Sequence, residues 1–293
     1  MSLFNNIEKP TIHQVIKTHG FIRIPCVYDG ISAKIAEQSG FPAVAFSGNA
    51  VSASLLGMPD LGVLGMSENI EHVSKISRNL KVPVICDADT GYGGVMNVIR
   101  TVRDFEAAGI SGIHIEDQVT PKRCGLLPQG IPVISQDEQI IKIKAAIEAR
   151  SSKNFYIIAL TDAKSMHGLE EACRRAKAYV HAGADAAIVM GANTPDELRY
   201  ASQVIQAPLV TVIQETPPTT LLTDELLREV GCVIALHAGV ARYAAVKALQ
   251  TALKTLSETG STASVSSMMS SFEEYNSVLG LDQWLNIENH FLD

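Results

Sequence analysis

One layout recurs four times along the sequence: a charged helical stretch, a glycine, and then a short apolar run. The four glycines are Gly40, Gly109, Gly183 and Gly231. A glycine just past a helix adopts the left-handed conformation that caps the helix C-terminus, so each one predicts a helix-to-strand junction. Repeated alternation of helix and strand is typical of α/β proteins with a parallel sheet.

The number and character of the apolar runs narrow this class further. Each run is continuous instead of alternating, which is the pattern of strands that are buried on both faces. Four runs follow the glycines, and the others are Ile22–Cys26, Val82–Cys86, Phe155–Leu160 and Pro208–Ile213. Eight such units over about 230 residues predict one (β/α)8 TIM barrel. A doubly wound sheet is the alternative, but no glycine-rich phosphate turn follows the first run.

Composition excludes several classes of protein. Of 293 residues, 46% are hydrophobic, 31 are acidic and 24 are basic, with no Lys/Arg block, so we expect no nucleic-acid partner. No apolar run approaches the roughly 20 residues that span a bilayer, and no apolar signal segment begins the chain. Five cysteines without C-x-x-C spacing fit a reducing compartment. We therefore expect a cytoplasmic globular protein with no membrane partner.

The composition changes near residue 257. Residues 257–271 are rich in Ser and Thr, and residues 272–293 contain the only Trp and resemble one or two amphipathic helices. This part lies outside the eight repeats, so we assign 1–256 to the barrel catalytic domain and 257–293 to a helical tail. The apolar face of the tail must pack on its own barrel or on a neighbouring subunit.

Acidic residues end two neighbouring strands. TIM-barrel active sites form at the C-terminal ends of the strands, which is where Asp87, Asp89 and Glu116 are expected. Several carboxylates in one cup repel one another unless a cation joins them, and hard oxygen ligands favour Mg²⁺ or Mn²⁺ over zinc. A lone D-x-D at a strand end is often only a helix cap, so the metal-site prediction depends on Glu116.

The segment Gln118–Ser135 has three prolines and two glycines, too irregular for a packed helix. Long loops over a barrel mouth are usually functional lids, so we predict that this one is mobile and orders on binding substrate. It carries Cys124 beside Lys122 and Arg123, and neighbouring cations favour the thiolate needed for acid–base or nucleophilic work. The alternative is an ordinary loop cysteine. The other cysteines are predicted core residues: Cys26, Cys86, Cys173 and Cys232.

Taken together, five motifs resemble the isocitrate lyase/phosphoenolpyruvate mutase superfamily. They are Ser47-Gly48, LGMPDLG at 56–62, DADTGYG at 87–93, HIEDQ at 114–118 and KRCG at 122–125. The resemblance runs in order from Tyr28 to Ala245, and the nearest branches are 2-methylisocitrate lyase and carboxyphosphonoenolpyruvate phosphonomutase. The motifs are specific for the superfamily but not for one reaction.

The resemblance implies roles for the metal and loop residues. Asp87 would bind Mg²⁺, and Asp89 and Glu116 would hold the metal or its waters. Lys122 and Cys124 would lie on a gating loop, where the lyases use the cysteine as the acid that protonates a departing carbanion.

It also implies a substrate site and an assembly. The α-oxo-carboxylate end of a small organic acid would be held by Tyr28, Ser47 and Gly48, and Asp60 would shape the pocket. In this superfamily the last helices of the barrel swap between paired subunits, usually within a tetramer. The tail is therefore expected on a neighbouring subunit of a homotetramer, a dimer of swapped dimers.

Four positions depart from the lyase pattern. Leu126 stands in place of a His, Leu160 in place of an Arg, Met190 in place of a Glu and Val212 in place of an Asn. Loss of the Arg removes a bidentate carboxylate partner. Four apolar replacements in one cup indicate a substrate pocket remodelled for a less charged molecule.

The leading hypothesis is a Mg²⁺-dependent carbon–carbon lyase acting on a 2-hydroxy or 2-oxo acid with an apolar substituent, less charged than methylisocitrate. One alternative is a phosphonomutase or an oxaloacetate-type hydrolase or decarboxylase. The other is a non-catalytic protein that binds a small acid or serves in assembly. Cys124 favours a lyase, the loss of Arg at Leu160 favours a new substrate or the non-catalytic alternative, and the retained carboxylates favour catalysis.

Overall fold

A computed structural model describes residues 9–125, 127 and 130–292 of the chain. Eight parallel strands form a closed barrel in chain order, each paired with the next and the last with the first. The strands are β1 (Ile22–Val27), β2 (Val44–Phe46), β3 (Val84–Asp87), β4 (Gly112–Glu116), β5 (Tyr156–Thr161), β6 (Ala186–Val189), β7 (Leu209–Ile213) and β8 (Cys232–His237). The predicted (β/α)8 TIM barrel is confirmed.

One helix precedes the first strand, nine follow strands around the outside of the barrel, and two end the described part of the chain. They are α1 (Ile12–His19), α2 (Gly30–Gln38), α3 (Gly48–Leu56), α4 (Met66–Ser77), α5 (Val95–Ala107), α6 (Gln136–Ala149), α7 (Lys164–His181), α8 (Pro195–Ile205), α9 (Asp224–Glu229), α10 (Val240–Thr259), α11 (Phe272–Leu279) and α12 (Leu281–Leu292). Two short 3₁₀ helices cover Thr219–Leu221 and Ala263–Met268. None of the helices in the described part of the chain is long and apolar enough to cross a membrane.

The four junction glycines have the backbone conformation that the sequence predicts. Gly40, Gly109, Gly183 and Gly231 have φ angles of 84°, 79°, 116° and 73°. Residues with a Cβ are strained in this region, which explains why glycine separates each helix from the strand that follows.

Polar caps set the helix starts near the catalytic face. The Asp29 side chain accepts a hydrogen bond from the Ser32 N–H at 2.7 Å and caps α2. The Ser135 hydroxyl accepts one from the Glu138 N–H at 3.1 Å and caps α6. An oxygen cap satisfies N–H groups that have no partner within the helix. Ser135 therefore ends the long loop and begins the next helix.

The strands are apolar throughout because both of their faces are buried. Side chains alternate between the barrel interior, as at Ile24 and Ile158, and the layer under the helices, as at Val27 and Ile157. All four are fully buried. The four cysteines predicted in the core are also buried. This packing gives the strand ends a rigid base.

The C-terminal helices leave large apolar side chains exposed. Helix α10 continues to Thr259, so it crosses the boundary drawn at residue 256. Helix α11 contacts α2, where the Gln38 side-chain amide donates to the Val278 carbonyl at 2.9 Å. Phe272 is 80% exposed, and Trp284 and Phe291 are also exposed. Apolar surface of this extent is typical of an interface.

Candidate active site

Two carboxylates end neighbouring strands at the C-terminal face. Asp87 is the last residue of β3 and Glu116 the last of β4. Asp87 accepts hydrogen bonds from the Gly48 N–H at 3.1 Å and the Asp89 N–H at 3.0 Å. Asp89 has a φ of 48°, a left-handed conformation that Asp tolerates better than most residues, and this turns the chain sharply after the strand. The D-x-D spacing therefore builds a tight turn around the Asp87 carboxylate.

Lys122 forms ion pairs with carboxylates from two separate segments of the chain. Its Nζ lies 2.8 Å from Asp60 Oδ2 and 2.7 Å from Asp89 Oδ1, and all three side chains are buried. Burial acts to lower the pKa of Lys122, but Asp89, Glu116, Asp87 and Asp60 outweigh it and raise the pKa well above its ordinary value. The lysine is therefore a permanent cation at the centre of the acidic cluster.

The carboxylates carry more negative charge than one lysine offsets. Burial raises the pKa of Asp89 to about 7, against the opposing effect of Lys122. Burial also raises the pKa of Glu116 well above its ordinary value. Burial acts in the same direction on Asp87, but His114, Lys122 and two backbone N–H groups outweigh it, so the pKa of Asp87 is lowered. Of these three carboxylates, Asp87 is therefore the one most readily ionised.

This donor set fits a magnesium ion held mainly through water. Glu116 Oε1 is buried with no hydrogen-bond partner among the described residues. Among those residues, no three His, Cys, Asp or Glu side chains converge on one metal position. Mg²⁺ commonly contacts one or two carboxylates and keeps several waters. Asp87 can supply the direct contact, while Asp89 and Glu116 can accept hydrogen bonds from waters.

A buried network fixes the strand ends behind the cluster. Asp117, fully buried, accepts hydrogen bonds from the Thr161 hydroxyl at 2.7 Å, the Asp162 N–H at 3.0 Å and the Tyr179 hydroxyl at 2.8 Å. The Arg175 guanidinium lies 3.3 Å from the same carboxylate. These bonds tie β4 to β5 and to α7, so the neighbouring Glu116 is held by rigid elements.

The start of the long loop is held over the barrel. The Gln118 amide accepts from the Arg123 N–H at 2.8 Å and donates to the Arg123 carbonyl at 2.9 Å. It also donates to Asp162 at 2.9 Å. The Cys124 N–H donates to the Asp60 carbonyl at 3.1 Å. These contacts place the half-buried Cys124 at the cavity, and the mobility of the loop stays a prediction.

A cavity of about 80 Å³ lies at the barrel mouth. Polar groups line one side, and the other side is an apolar wall made of Leu160, Ile188, Met190, Val212 and Leu236. Leu160 is paired in register with Glu116 across β4 and β5, so the wall begins beside the acidic cluster. A ligand here meets charged groups at one end and hydrocarbon at the other.

Most of the residues singled out in the sequence meet at this cavity. Its lining includes Ser47, Asp60, Asp87, Glu116, Lys122, Cys124, Leu160, Met190 and Val212. Gly48 and Asp89 are hydrogen-bonded to Asp87. Tyr28 does not line the cavity, and its carbonyl lies 2.7 Å from the His72 ring nitrogen. Leu126 lies outside the described residues.

Two polar residues of the lining were not foreseen. Asn49 follows Ser47-Gly48 in the first turn of α3, and Arg242 lies in the first turn of α10. The signal for Arg242 was its position just after the last strand, because helices begin at the catalytic face of a TIM barrel. No motif included it.

Comparisons with known proteins agree on one family. The family model described as phosphoenolpyruvate phosphomutase matches residues 12–257. The chain is 39% identical to the chloroplastic carboxyvinyl-carboxyphosphonate phosphorylmutase of Arabidopsis thaliana over 95% of this chain and 83% of that protein. It is 38% identical to the 2-methylisocitrate lyase of Aeropyrum pernix, over 94% and 88%. It is 35% identical to the 2,3-dimethylmalate lyase of Eubacterium barkeri, over 96% of each.

A solved structure extends this similarity to the fold. Phosphonopyruvate hydrolase, in a complex with oxalate and Mg²⁺, matches with a TM-score of 0.86 and 30% identity over 97% of this chain and all of that one. The relatives named here are lyases, mutases and hydrolases of small organic acids. The chain therefore belongs to the phosphoenolpyruvate phosphomutase family, and with it to the isocitrate lyase/phosphoenolpyruvate mutase superfamily of enzymes.

Proposed function

We propose that this enzyme is a Mg²⁺-dependent carbon–carbon lyase that cleaves a 2-hydroxy or 2-oxo acid carrying an apolar substituent. The observation that carries the proposal is one cavity that joins the acidic cluster, the Cys124 thiol and the apolar wall. A lyase of this kind needs a cation site, a proton donor and a shaped pocket, and all three candidates share this lining. The named relative that acts on 2,3-dimethylmalate supports an alkyl-bearing acid.

The acidic end would hold the metal and the oxo-acid end of the substrate. Asp87 would contact Mg²⁺ directly, and Asp89 and Glu116 would hold its waters. When bound, Mg²⁺ supplies positive charge against the negative charge that develops as the carbon–carbon bond breaks. Ser47 and Gly48 would position the α-carboxylate, since both lie beside Asp87 at the start of α3.

Cys124 would return a proton to carbon. With a 2-hydroxy acid, the hydroxyl proton would pass to a carboxylate of the acidic cluster as the bond breaks, and the hydroxyl carbon would become a carbonyl. The electron pair goes to the other carbon as a carbanion, which takes the thiol proton. The bond from the Cys124 N–H to Asp60 and the ion pair of Asp60 with Lys122 would hold the thiol in position. A positioned donor contributes about 10²–10⁴-fold in rate.

The apolar wall would select against a third carboxylate. Met190, Val212 and Leu160 offer no hydrogen-bond donor to a charged group. A carboxylate placed there loses water without gaining a partner, at a cost on the order of several kcal/mol. An alkyl group instead gains roughly 25 cal/mol per Å² of apolar surface that it buries. Isocitrate and 2-methylisocitrate are therefore expected to be poor substrates.

The test compares acids that differ at the substituent. Alkyl-substituted malates, both tricarboxylates, phosphonopyruvate and oxaloacetate are assayed with Mg²⁺ for release of a 2-oxo acid. We expect alkylmalate cleavage that Cys124→Ala slows by at least about 10²-fold while substrate affinity stays near wild type. Cleavage of 2-methylisocitrate at least as efficient as that of the alkylmalates would refute the role of the wall. Turnover of phosphonopyruvate or oxaloacetate alone would indicate a mutase or hydrolase, and inactivity on all of them would indicate a non-catalytic protein.

The tail, by the same proposal, covers the barrel of a second copy of this chain. The exposed apolar residues of α10 form a stripe at helical spacing: Val240, Tyr243, Val246, Leu249, Leu253 and Leu256. In swapped helices, this stripe and the exposed aromatic residues of α11 and α12 would pack against the second copy. Light scattering should give the mass of a tetramer, and Trp284→Glu should lower the mass. A monomeric wild type would contradict the exchange.

A further inference from the structure

Arg242 is a cation at the cavity, and it has no acidic partner in the part of the chain that the structure describes. Its guanidinium donates to the Asn49 side-chain oxygen and, at 3.1 Å, to the Tyr243 hydroxyl, and it lies 4.8 Å from the centre of the Tyr243 ring. Among the residues that the structure describes, no carboxylate lies within ion-pair distance of it. Its Nε is buried without a hydrogen-bond partner in the same set. Arginines in such surroundings are usually paired with an anion.

The other Lys and Arg residues of the cavity lining differ from Arg242 in their partners or in their exposure. Arg242 is half-buried, whereas Lys122 is fully buried, and both ion pairs of Lys122 are with protein carboxylates. Arg123 also lines the cavity, but its side chain is exposed on the loop. Arg242 is therefore the cation best placed to meet a carboxylate that a ligand brings into the cavity.

Arg242 lies close to the acidic cluster along α3. Gly48 donates its N–H to Asp87, and the adjacent Asn49 accepts from Arg242. Two consecutive residues thus link the proposed metal carboxylate to the guanidinium. Arg242 also lines a neighbouring recess of about 340 Å³, so a group bound to it has room beyond the narrow cavity.

We infer that Arg242 binds a second carboxylate of the substrate, which makes the substrate a dicarboxylic acid with its alkyl group on the apolar wall. This inference rests on the proposed function, and it narrows the substrate class. One carboxylate lies with the 2-hydroxy or 2-oxo group at the acidic cluster, and the other lies on Arg242. Cleavage leaves the carbanion on the carbon next to that second carboxylate, and its negative charge delocalises onto the carboxylate oxygens. Arg242 would therefore stabilise the charge that develops.

The test uses three probes measured by calorimetry in Mg²⁺. Oxalate occupies the acidic end alone, and 2-methylmalate adds a second carboxylate. In 2-hydroxy-2-methylbutyrate a methyl group replaces that second carboxylate. Wild type should bind 2-methylmalate about 10- to 100-fold more tightly than the monoacid, the size of one charge-assisted contact. Arg242→Gln should remove this preference and leave the affinity for oxalate unchanged, and Arg242→Lys should keep part of it.

Arg100→Gln is the matched control, because Arg100 is exposed and pairs with Asp104 on the surface of α5. It should behave as wild type. The inference is overturned if Arg242→Gln keeps the full preference, or if it loses affinity for oxalate and 2-methylmalate alike. If wild type binds oxalate but does not prefer the diacid, only the role of Arg242 is refuted. Wild type that binds neither refutes the proposed function as well.

Discussion

Lys122→Met removes the cation from the centre of the acidic cluster while keeping the length of the side chain. In wild type, the Lys122 side chain is 5% exposed, and its Nζ makes ion pairs with Asp60 at 2.8 Å and Asp89 at 2.7 Å. The substitution leaves both carboxylates buried without their cation. Removing one partner of a buried pair typically costs about 3–5 kcal/mol of folding free energy. At about 2–4 °C per kcal/mol, Tm should fall by roughly 6–20 °C.

The matched control is Lys75→Met. Lys75 pairs with Glu71 at the same 2.7 Å, but these side chains are 69% and 70% exposed. Exposed pairs contribute little, so Tm should stay within roughly 1–2 °C of wild type. Burial is then the variable that separates the two substitutions.

Thermal unfolding followed by circular dichroism measures both variants, with and without millimolar Mg²⁺. If a divalent cation binds the same carboxylates, Mg²⁺ should raise the Tm of Lys122→Met by more than it raises the Tm of wild type. Adding Asp60→Asn to Lys122→Met should recover stability, because it removes one uncompensated charge. Equal Tm values for the Lys122 and Lys75 variants would refute the reasoning from burial.

Three further outcomes test the metal, the loop and the wall. Asp87→Ala should abolish Mg²⁺ binding in calorimetry, and binding as tight as wild type would contradict its role as the direct contact. Limited proteolysis should cut within 118–135 first and more slowly with a bound ligand, whereas equal rates would argue against gating. Leu160→Arg should shift the affinity ratio toward 2-methylisocitrate over 2-methylmalate by about tenfold or more. An unchanged ratio would show that this position does not face the third carboxylate.

The strands and their order were predictable because burial on both faces leaves a strong local pattern. At Ile24 and Val27 each face needs an apolar residue, so the run is continuous, and Gly40 with a φ of 84° marks where the preceding helix ends. The path of α10 beyond residue 256 was less predictable. A change in composition does not require a helix to stop, and α10 ends at Gly260, which has a φ of 68°.

The position of the candidate site was predictable where an acidic residue ends an apolar strand. Asp87 and Glu116 end apolar strands, so their polarity stands out against the pattern. Arg242 did not stand out, because charged residues are common on a helix that covers a barrel. Its proposed role depends on the contact with Asn49 and on the lack of a described acidic neighbour, and both arise from packing between distant segments.

By the proposal made above, side chains at the open end of the barrel select the charge of the substrate. Leu160 is the next-to-last residue of β5, and its register partner Glu116 lines the same cavity, so both residues lie at the open end of the barrel. The family fold and the acidic cluster therefore fit several substrates equally well. The apolar wall would disfavour a substrate carboxylate on its side of the cavity, and Arg242 would bind a carboxylate on another side. Because these two features lie on different strands and helices, their effects on affinity should be close to additive in a Leu160→Arg/Arg242→Gln double variant. Strong coupling between them would instead mean that both positions contact the same carboxylate.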